Sequence, residues 1–376
     1  MFNCRMKNLR CPACGGETKR NGQTSSGRTR WRCKSCGAST TQRYDDTAKL
    51  LRLFVGWLLS KRSQGELEMP ARTFRHLTSR FWALWPILPV CDEVHHVVYM
   101  DGLWIGRAAV LLIACTDDFV IGCHLARSEN SRDWGCLMSR IAPPDVLVCD
   151  GGGGIEKARR AHWPGTRVQR CAFHAFEQVK RCTTTRPKLQ AGVELYGIAK
   201  DLLHVADQEG AARWLVSFSD WCVRWDEFLK ERTVVDGRKQ YKHERLRKAR
   251  RSLEKLCRDG TLFTFLEDDV VAGGPVPATN NKIESVNARI REVLRNHRGM
   301  PIDRRIKTGF WWCYMNSEAP VPYGEMAKTF PDDDLIMEWR RRAAGPYADD
   351  DEVSRWGAGI VWAEFHSTRQ WRSDYE

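Results

Sequence analysis

The sequence predicts an α/β core of element order βββαβαβα, interrupted by an all-helical block and preceded by a cysteine ribbon and a helical pair. Three observations carry that prediction. At about residue 94 the helical spacing of apolar residues gives way to short β-rich runs. Strand signals then vanish between about residues 184 and 274. Two Cys-x-x-Cys pairs stand within the first 36 residues. A length of 376 residues allows two to three domains. No apolar run approaches the ~20 residues of a membrane helix, and MFNCRMKNLRCPAC has no apolar signal core. A cytoplasmic protein is therefore expected.

The first element, residues 1–45, reads as a zinc ribbon. Cys11 and Cys14 are separated by 18 residues from Cys33 and Cys36, and four thiolates at that spacing suit one tetrahedral Zn²⁺. Gly15 and Gly37 follow the knuckles and suit their tight turns. The chain has 15 cysteines, an odd number with no secretion signal, which favours free thiols and metal ligation over a disulfide framework. Residues 1–80 hold 17 Lys/Arg against 5 Asp/Glu, so nearly all of the formal +13 sits in the first fifth. A basic end on a neutral body points to a polyanion. Arg28, Arg30, Arg32 and Lys34, interleaved with Trp31, are the expected nucleic-acid contacts of the ribbon.

Residues 46–90 follow as a helical segment and linker. LRLFVGWLLS is apolar at helical spacing, a turn is expected at Met69-Pro70, and Arg72, Arg75, His76 and Arg80 fall on the outer side of a second helix. This pattern fits a DNA-binding helix-turn-helix or an ordinary helical hairpin; PILPVCDE reads as the linker.

The core begins at residue 91 and runs to 183. HHVVYMDGLWIG, RAAVLLIACT and DFVIGCHLA are three β-rich runs with polar turns. Helical SRDWGCLMSRI, strand DVLVCD, helix GIEKARRAHW, strand TRVQRC and a helix from His174 complete the order. His95, His96 and His124 read as strand residues without a catalytic task. Residues 184–274 form the helical block. Within it, residues 238–258 carry 10 Lys/Arg and 2 Glu and read as one basic helix, with Arg245, Lys248 and Arg251 as candidate DNA contacts. Trp214, Trp221 and Trp225 read as core residues. In residues 275–320 Thr279, Asn280 and Asn281 cap a helix with a buried stripe of Ile283, Val286, Ile290 and Val293 and with Arg289 as a candidate DNA contact. Residues 321–376 read as a charged, partly mobile tail.

VLVCDGGGGIEKARRA, residues 146–161, poses the functional question. A dinucleotide fingerprint from Gly151 needs glycine at 156, and a P-loop needs it there too; the residue is Glu156. No acidic residue closes a strand some 20 residues on. Both nucleotide cradles are excluded, which leaves Asp150. Asp101 and Asp150 each follow an apolar strand run and precede a glycine. Two carboxylates on neighbouring strands repel one another unless a divalent cation lies between them. A third carboxylate from a helix makes a Mg²⁺-type site for phosphoryl transfer. Glycine beside each Asp leaves room for a nucleic-acid backbone.

YMDGLWIG, CDGGGG with IEKA and WPGTRVQRCAFH, and TNNKIESVNARIRE together resemble three blocks of bacterial insertion-sequence transposases of the Mutator-like superfamily. The resemblance spans about residues 94–315. It implies an RNase H-like core with an Asp-Asp-Glu triad, here Asp101, Asp150 and Glu284, holding Mg²⁺ or Mn²⁺, with an all-helical insertion before the Glu. Glu292, two turns on, is the rival third ligand, disfavoured because TNN precedes Glu284. Cys171 and His174 match the superfamily's Cys-x-x-His signature and are expected to be structural near the active site. The implied activity is that of a DNA transposase, at least dimeric, that binds terminal inverted repeats, cleaves and transfers strands. The ribbon marks a subgroup. The alternatives are a catalytically inactive zinc-ribbon DNA-binding regulator and a nuclease without strand transfer.

Overall fold

Alternation along a single strand sets out the two faces of the core. In β4 (Val97–Ile105), Val97, Tyr99, Leu103 and Ile105 join one apolar cluster, while Val98 and Met100 join another on the opposite side. The computed structural model describes residues 10–41 and 45–343. It places β4 at the centre of a five-stranded sheet with β5 (Ala109–Cys115), β6 (Val120–Ala126), β7 (Val146–Cys149) and β8 (Arg167–Arg170). The strand order is β6-β5-β4-β7-β8. β4, β5 and β6 pair antiparallel as a meander, whereas β7 and β8 run parallel to β4. Helices α3 (Ser131–Met138), α4 (Gly153–His162) and α5 (Ala172–Thr183) complete the expected order β4-β5-β6-α3-β7-α4-β8-α5. The chain is thus a mixed α/β protein.

α3 and α4 pack on the even face of β4 through Trp134, Leu137, Ile155 and Ala158. The odd face is covered by α1 (Thr47–Leu58), α2 (Ala71–Thr78), α11 (Asn281–Asn296) and α12 (Ile302–Met315), which share its cluster. Phe54 meets Trp311 edge-on with ring centres 6.3 Å apart, and Trp57 meets Phe74 at 5.1 Å. Two expectations change here. α1 and α2 are joined by residues 59–70, with a 3-10 turn at Gln64–Glu66, rather than the three to four residues of a helix-turn-helix. The supposed linker is also part of the core, since Leu88 is buried and Ile87 packs against the same cluster.

The helical block has its own apolar core, formed by α5, α6 (Gln190–Asp201), α7 (Gln208–Arg224) and α9 (Glu244–Arg258). Trp214 and Trp221 are buried within it, as expected of core residues. α8 (Asp226–Lys230) leads into a hairpin of β9 (Arg232–Val235) and β10 (Arg238–Tyr241), which contradicts the reading of 184–274 as all helical. Asp236 and Gly237 adopt φ of 49° and 74°, the left-handed pair that closes a two-residue hairpin. The basic run 238–258 is therefore a strand followed by a helix.

Beyond the short α10 (Asp268–Val271), the C-terminal segment also departs from expectation. α13 (Tyr323–Thr329) and α14 (Asp333–Ala343) pack on the core through buried Met326 and Ile336. Asp333 accepts hydrogen bonds from Trp85 Nε1 at 2.7 Å and from the buried Lys307 Nζ at 2.5 Å, so α14 neutralises a charge that would otherwise be buried alone. Residues 344–376 lie outside the described residues. No helix among those described is long and apolar enough to cross a membrane.

Candidate active site

The parallel pairing of β4 with β7 ends at Met100 opposite Cys149. The next residues on the two strands are Asp101 and Asp150, so two carboxylates stand side by side where the sheet opens. Asp101 does not end its strand, as its flanking pattern suggests. β4 continues to Ile105 along β5, and only its parallel neighbour stops. An odd position turns Asp101 towards α11, where Asn287 Nδ2 donates to its Oδ2 at 2.7 Å. Asp150 Oδ1 accepts from the Gly152 amide at 2.9 Å, at the start of α4.

α11 also brings in Glu284, one turn before Asn287. The predicted stripe of Ile283, Val286, Ile290 and Val293 is buried and fixes the helix on the sheet. Glu284 Oε1 lies 3.7 Å from His174 Nδ1, an ion-pair distance too long for a hydrogen bond. Cys171, fully buried at the start of α5, accepts at 3.4 Å from the Asn280 amide through its sulfur. The Cys-x-x-His pair thus joins the end of β8 to the helix bearing Glu284. Glu292 is separated from Glu284 by eight residues, about 12 Å of helix, and pairs with Lys61 at 2.6 Å. The structure does not bring it to the site. Asn280 starts α11 without a side-chain cap, and its side-chain amide is buried with neither polar atom bonded.

Three residues of the site go unannounced by local pattern. Asn287 is a buried polar residue on an apolar stripe, and that mismatch was the available signal. Glu129 accepts from Trp104 Nε1 at 2.9 Å, and its carboxyl would lie 2.8 Å from a methyl placed on Gly102. Arg170 ends β8, and its guanidinium occupies the space a Gly151 side chain would need. The glycines beside the two Asp therefore make room for the protein's own groups. Gly151 is further required by its φ of 73°, and Gly154 by the backbone of Glu129 against it.

The electrostatics are those of crowded carboxylates. Burial first, and then the charge of Asp150, push the Asp101 carboxyl up to about 6; the Gly102 amide opposes this and Glu129 adds to it. Glu129 is also raised, by burial and then by Asp150, against its Trp104 hydrogen bond. His174 is raised by its Cys171 partner, opposed by burial and helped by the charges of Glu284 and Asp150. The folded protein holds the Asp101 proton to about pH 6, and the unfolded chain releases it near 3.8. Stability is therefore lost as pH rises through this window. Asp101→Asn is expected to raise the melting midpoint of metal-free protein at pH 8 by a few degrees, on the order of 1–2 kcal/mol, and to leave it unchanged at pH 4. A melting difference independent of pH would contradict this.

The second cluster lies in the ribbon, a three-stranded sheet of β1 (Thr18–Gln23), β2 (Thr29–Cys33) and β3 (Ser39–Thr41). The ligand atoms of Cys11, Cys14, Cys33 and Cys36 all lie within 4.8 Å of one another, the one such set among the described residues. Asp101, Asp150 and Glu284 do not form such a set among the described residues. Amide hydrogens of Cys36 and then Ser35 lower the Cys33 thiol to about 6, against burial, so it is ionised and ready as a ligand near neutral pH. These four sulfurs could hold zinc.

Arg28, Arg30, Arg32 and Lys34 are exposed on the ribbon, Lys34 paired with Glu17 at 2.7 Å. Trp31 is buried, so its ring offers no stacking platform. Arg72 and Arg75 are exposed on α2, and Arg289 on α11. Arg245, Lys248 and Arg251 are exposed along α9, with Arg251 paired to Glu244 and Arg245 bonded to the Arg181 carbonyl. Of the histidines, His124 is buried 3.9 Å from Asp133, and His96 bonds Asp145 at 2.9 Å.

No protein-family model matches the chain. A protein of Corynebacterium diphtheriae named "Probable transposase for insertion sequence element" is 22% identical over 253 residues, which cover 60% of this chain and 64% of that relative. A Burkholderia multivorans protein named "Transposase for insertion sequence element IS406" is 26% identical over 140 residues, 35% of each chain. The chain thus spans less than two thirds of the length of either curated relative.

Proposed function

We propose that this chain is an insertion-sequence DNA transposase of the Mutator-like kind, whose RNase H-like core cleaves and joins strands through Asp101, Asp150 and Glu284. One observation carries the proposal: sequence-distant Asp101 and Asp150 occupy adjacent places on parallel β4 and β7, and α11 adds Glu284. The strand order β6-β5-β4-β7-β8, with three antiparallel strands followed by two parallel ones, supports the same reading, as do the printed names of the two relatives.

The three carboxylates would hold Mg²⁺ or Mn²⁺. The fit is supported by Asp101, whose buried carboxyl sits beside the charge of Asp150, so that a cation offsetting both would ease its ionisation. When bound, such ions supply Lewis-acid charge to the attacking and leaving oxygens of a phosphodiester. The protein's own contribution is orientation. Asn287 fixes the Asp101 carboxyl, the Gly152 amide fixes Asp150, and His174 faces Glu284. Cys11, Cys14, Cys33 and Cys36 would hold Zn²⁺ and keep the ribbon folded. The exposed cations of the ribbon, α2, α9 and α11 would contact phosphates at the terminal repeats and target DNA, and two element ends imply at least a dimer.

The test is incubation of the full chain with labelled DNA carrying the element's ends. Mg²⁺- or Mn²⁺-dependent nicks at the ends and joined products are expected. Nicking without joined products favours a nuclease, and end binding without nicking favours a regulator.

A further inference from the structure

Beside Asp150, on the far side of Gly151, is a cavity of about 300 Å³. Arg159, Arg160, Arg167, Arg170 and Lys255 line it, against the carboxylates of Glu156 and Asp259. Four of the five cations are already paired: Arg159 and Arg160 with Glu156, Arg167 with Glu267 and Asp269, and Lys255 with Asp259. Arg170 is the exception. Its Nε and Nη1 are buried with no hydrogen-bond partner among the described residues, and its backbone N–H donates a hydrogen bond to the Thr261 carbonyl at 2.7 Å.

Buried guanidinium nitrogens whose N–H groups are unmatched are a costly arrangement unless an anion completes them. Arg170 is positioned for such an anion at the active site. It pairs in register with Cys149, the residue before Asp150, and its guanidinium lies against Gly151, the residue after it. The left-handed φ of Gly151 and its lack of a side chain keep that approach open.

Resting on the transposase reading, we infer that Arg170 anchors a phosphate subsite, with Arg160 and Lys255 at its rim. It takes a single backbone phosphate of the DNA strand that crosses the Asp101–Asp150 edge, next to the phosphodiester being cut. A planar guanidinium suits this ligand because its donors fork onto phosphate oxygens.

The experiment measures binding of full-length, zinc-loaded protein to a fluorescent end-bearing duplex without divalent metal, across about 50–200 mM KCl. Wild-type affinity should fall steeply with salt. Arg170→Gln should bind roughly ten-fold more weakly, with the logarithmic salt slope reduced by about one, and Arg170→Lys should retain the slope. Neutral methylphosphonate linkages placed one at a time near the cleavage point supply a readout that a structural defect would not copy. One position should weaken wild type and leave Arg170→Gln indifferent. Should Arg170→Gln fail to fold, the rim variant Arg160→Gln is expected to show a reduced response at that same position. An unchanged slope and an unchanged methylphosphonate profile in the variant would overturn the subsite alone. Wild-type protein without salt-dependent DNA binding would overturn the transposase reading as well.

Discussion

Asp150→Asn is expected to abolish strand cleavage while leaving DNA-end binding within about two-fold of wild type. The Asp150 oxygen that accepts from the Gly152 amide at 2.9 Å survives as the amide oxygen of asparagine, so the start of α4 keeps its anchor. Only the charge is removed. If that charge helps to hold the divalent ions, several kcal/mol of transition-state stabilisation disappear, and cleavage should fall by roughly a thousand-fold or more. The same substitution removes a charge that raises Asp101, so the Asp101 titration should move down from about 6. Gel assays of nicking and of end binding, run on one preparation, check both halves. Cutting that persists in the variant would remove Asp150 from the mechanism.

The second large effect is expected at the other end of the chain. Cys33 is buried, lies 3.5 Å from the Cys14 sulfur, and is held ionised by backbone amides. The ribbon has little else to hold it, because its buried side chains amount to Cys11, Thr18, Trp31 and Cys33 among the described residues. Metal binding in such a small unit is its folding energy. Cys33→Ser should lower zinc from one ion per chain to near none by elemental analysis. End binding should weaken by roughly a hundred-fold as the exposed Arg28, Arg30, Arg32 and Lys34 lose their common frame. Unchanged zinc content would refute the metal site, and unchanged end binding would move DNA recognition elsewhere.

Local pattern carried the sheet, because a continuous apolar run such as Val97 to Met100 announces a strand buried on both faces. It also carried the cysteine spacing, the Asp-Gly pairs and the apolar stripe of α11. What it could not carry was contact between distant segments. Phe54 is covered by Trp311, and Lys307 is neutralised by Asp333, which also binds Trp85 from 248 residues away. No window of sequence holds both partners, so α1 and α2 read as a helix-turn-helix or a plain hairpin rather than as part of the core, and the final helices as a loose tail. The β9–β10 hairpin differs, because Asp236-Gly237 is a strong turn signal outweighed by the helical runs around it. Within the site, the two Asp and Glu284 stood out by motif, whereas Asn287, Glu129 and Arg170 act through neighbours that only the fold supplies.

Iron-directed backbone cleavage tests whether the acids at 101, 150 and 284 share ions. Fe²⁺ substituted for Mg²⁺, with ascorbate and peroxide, generates short-lived radicals that cut the chain nearest the bound metal. The expected result is fragment ends near residues 101, 150 and 284 together, protected by excess Mg²⁺ and lost in Asp150→Asn. Cuts confined to one of these segments, or a pattern unchanged in Asp150→Asn, would show that the three carboxylates do not surround a common ion.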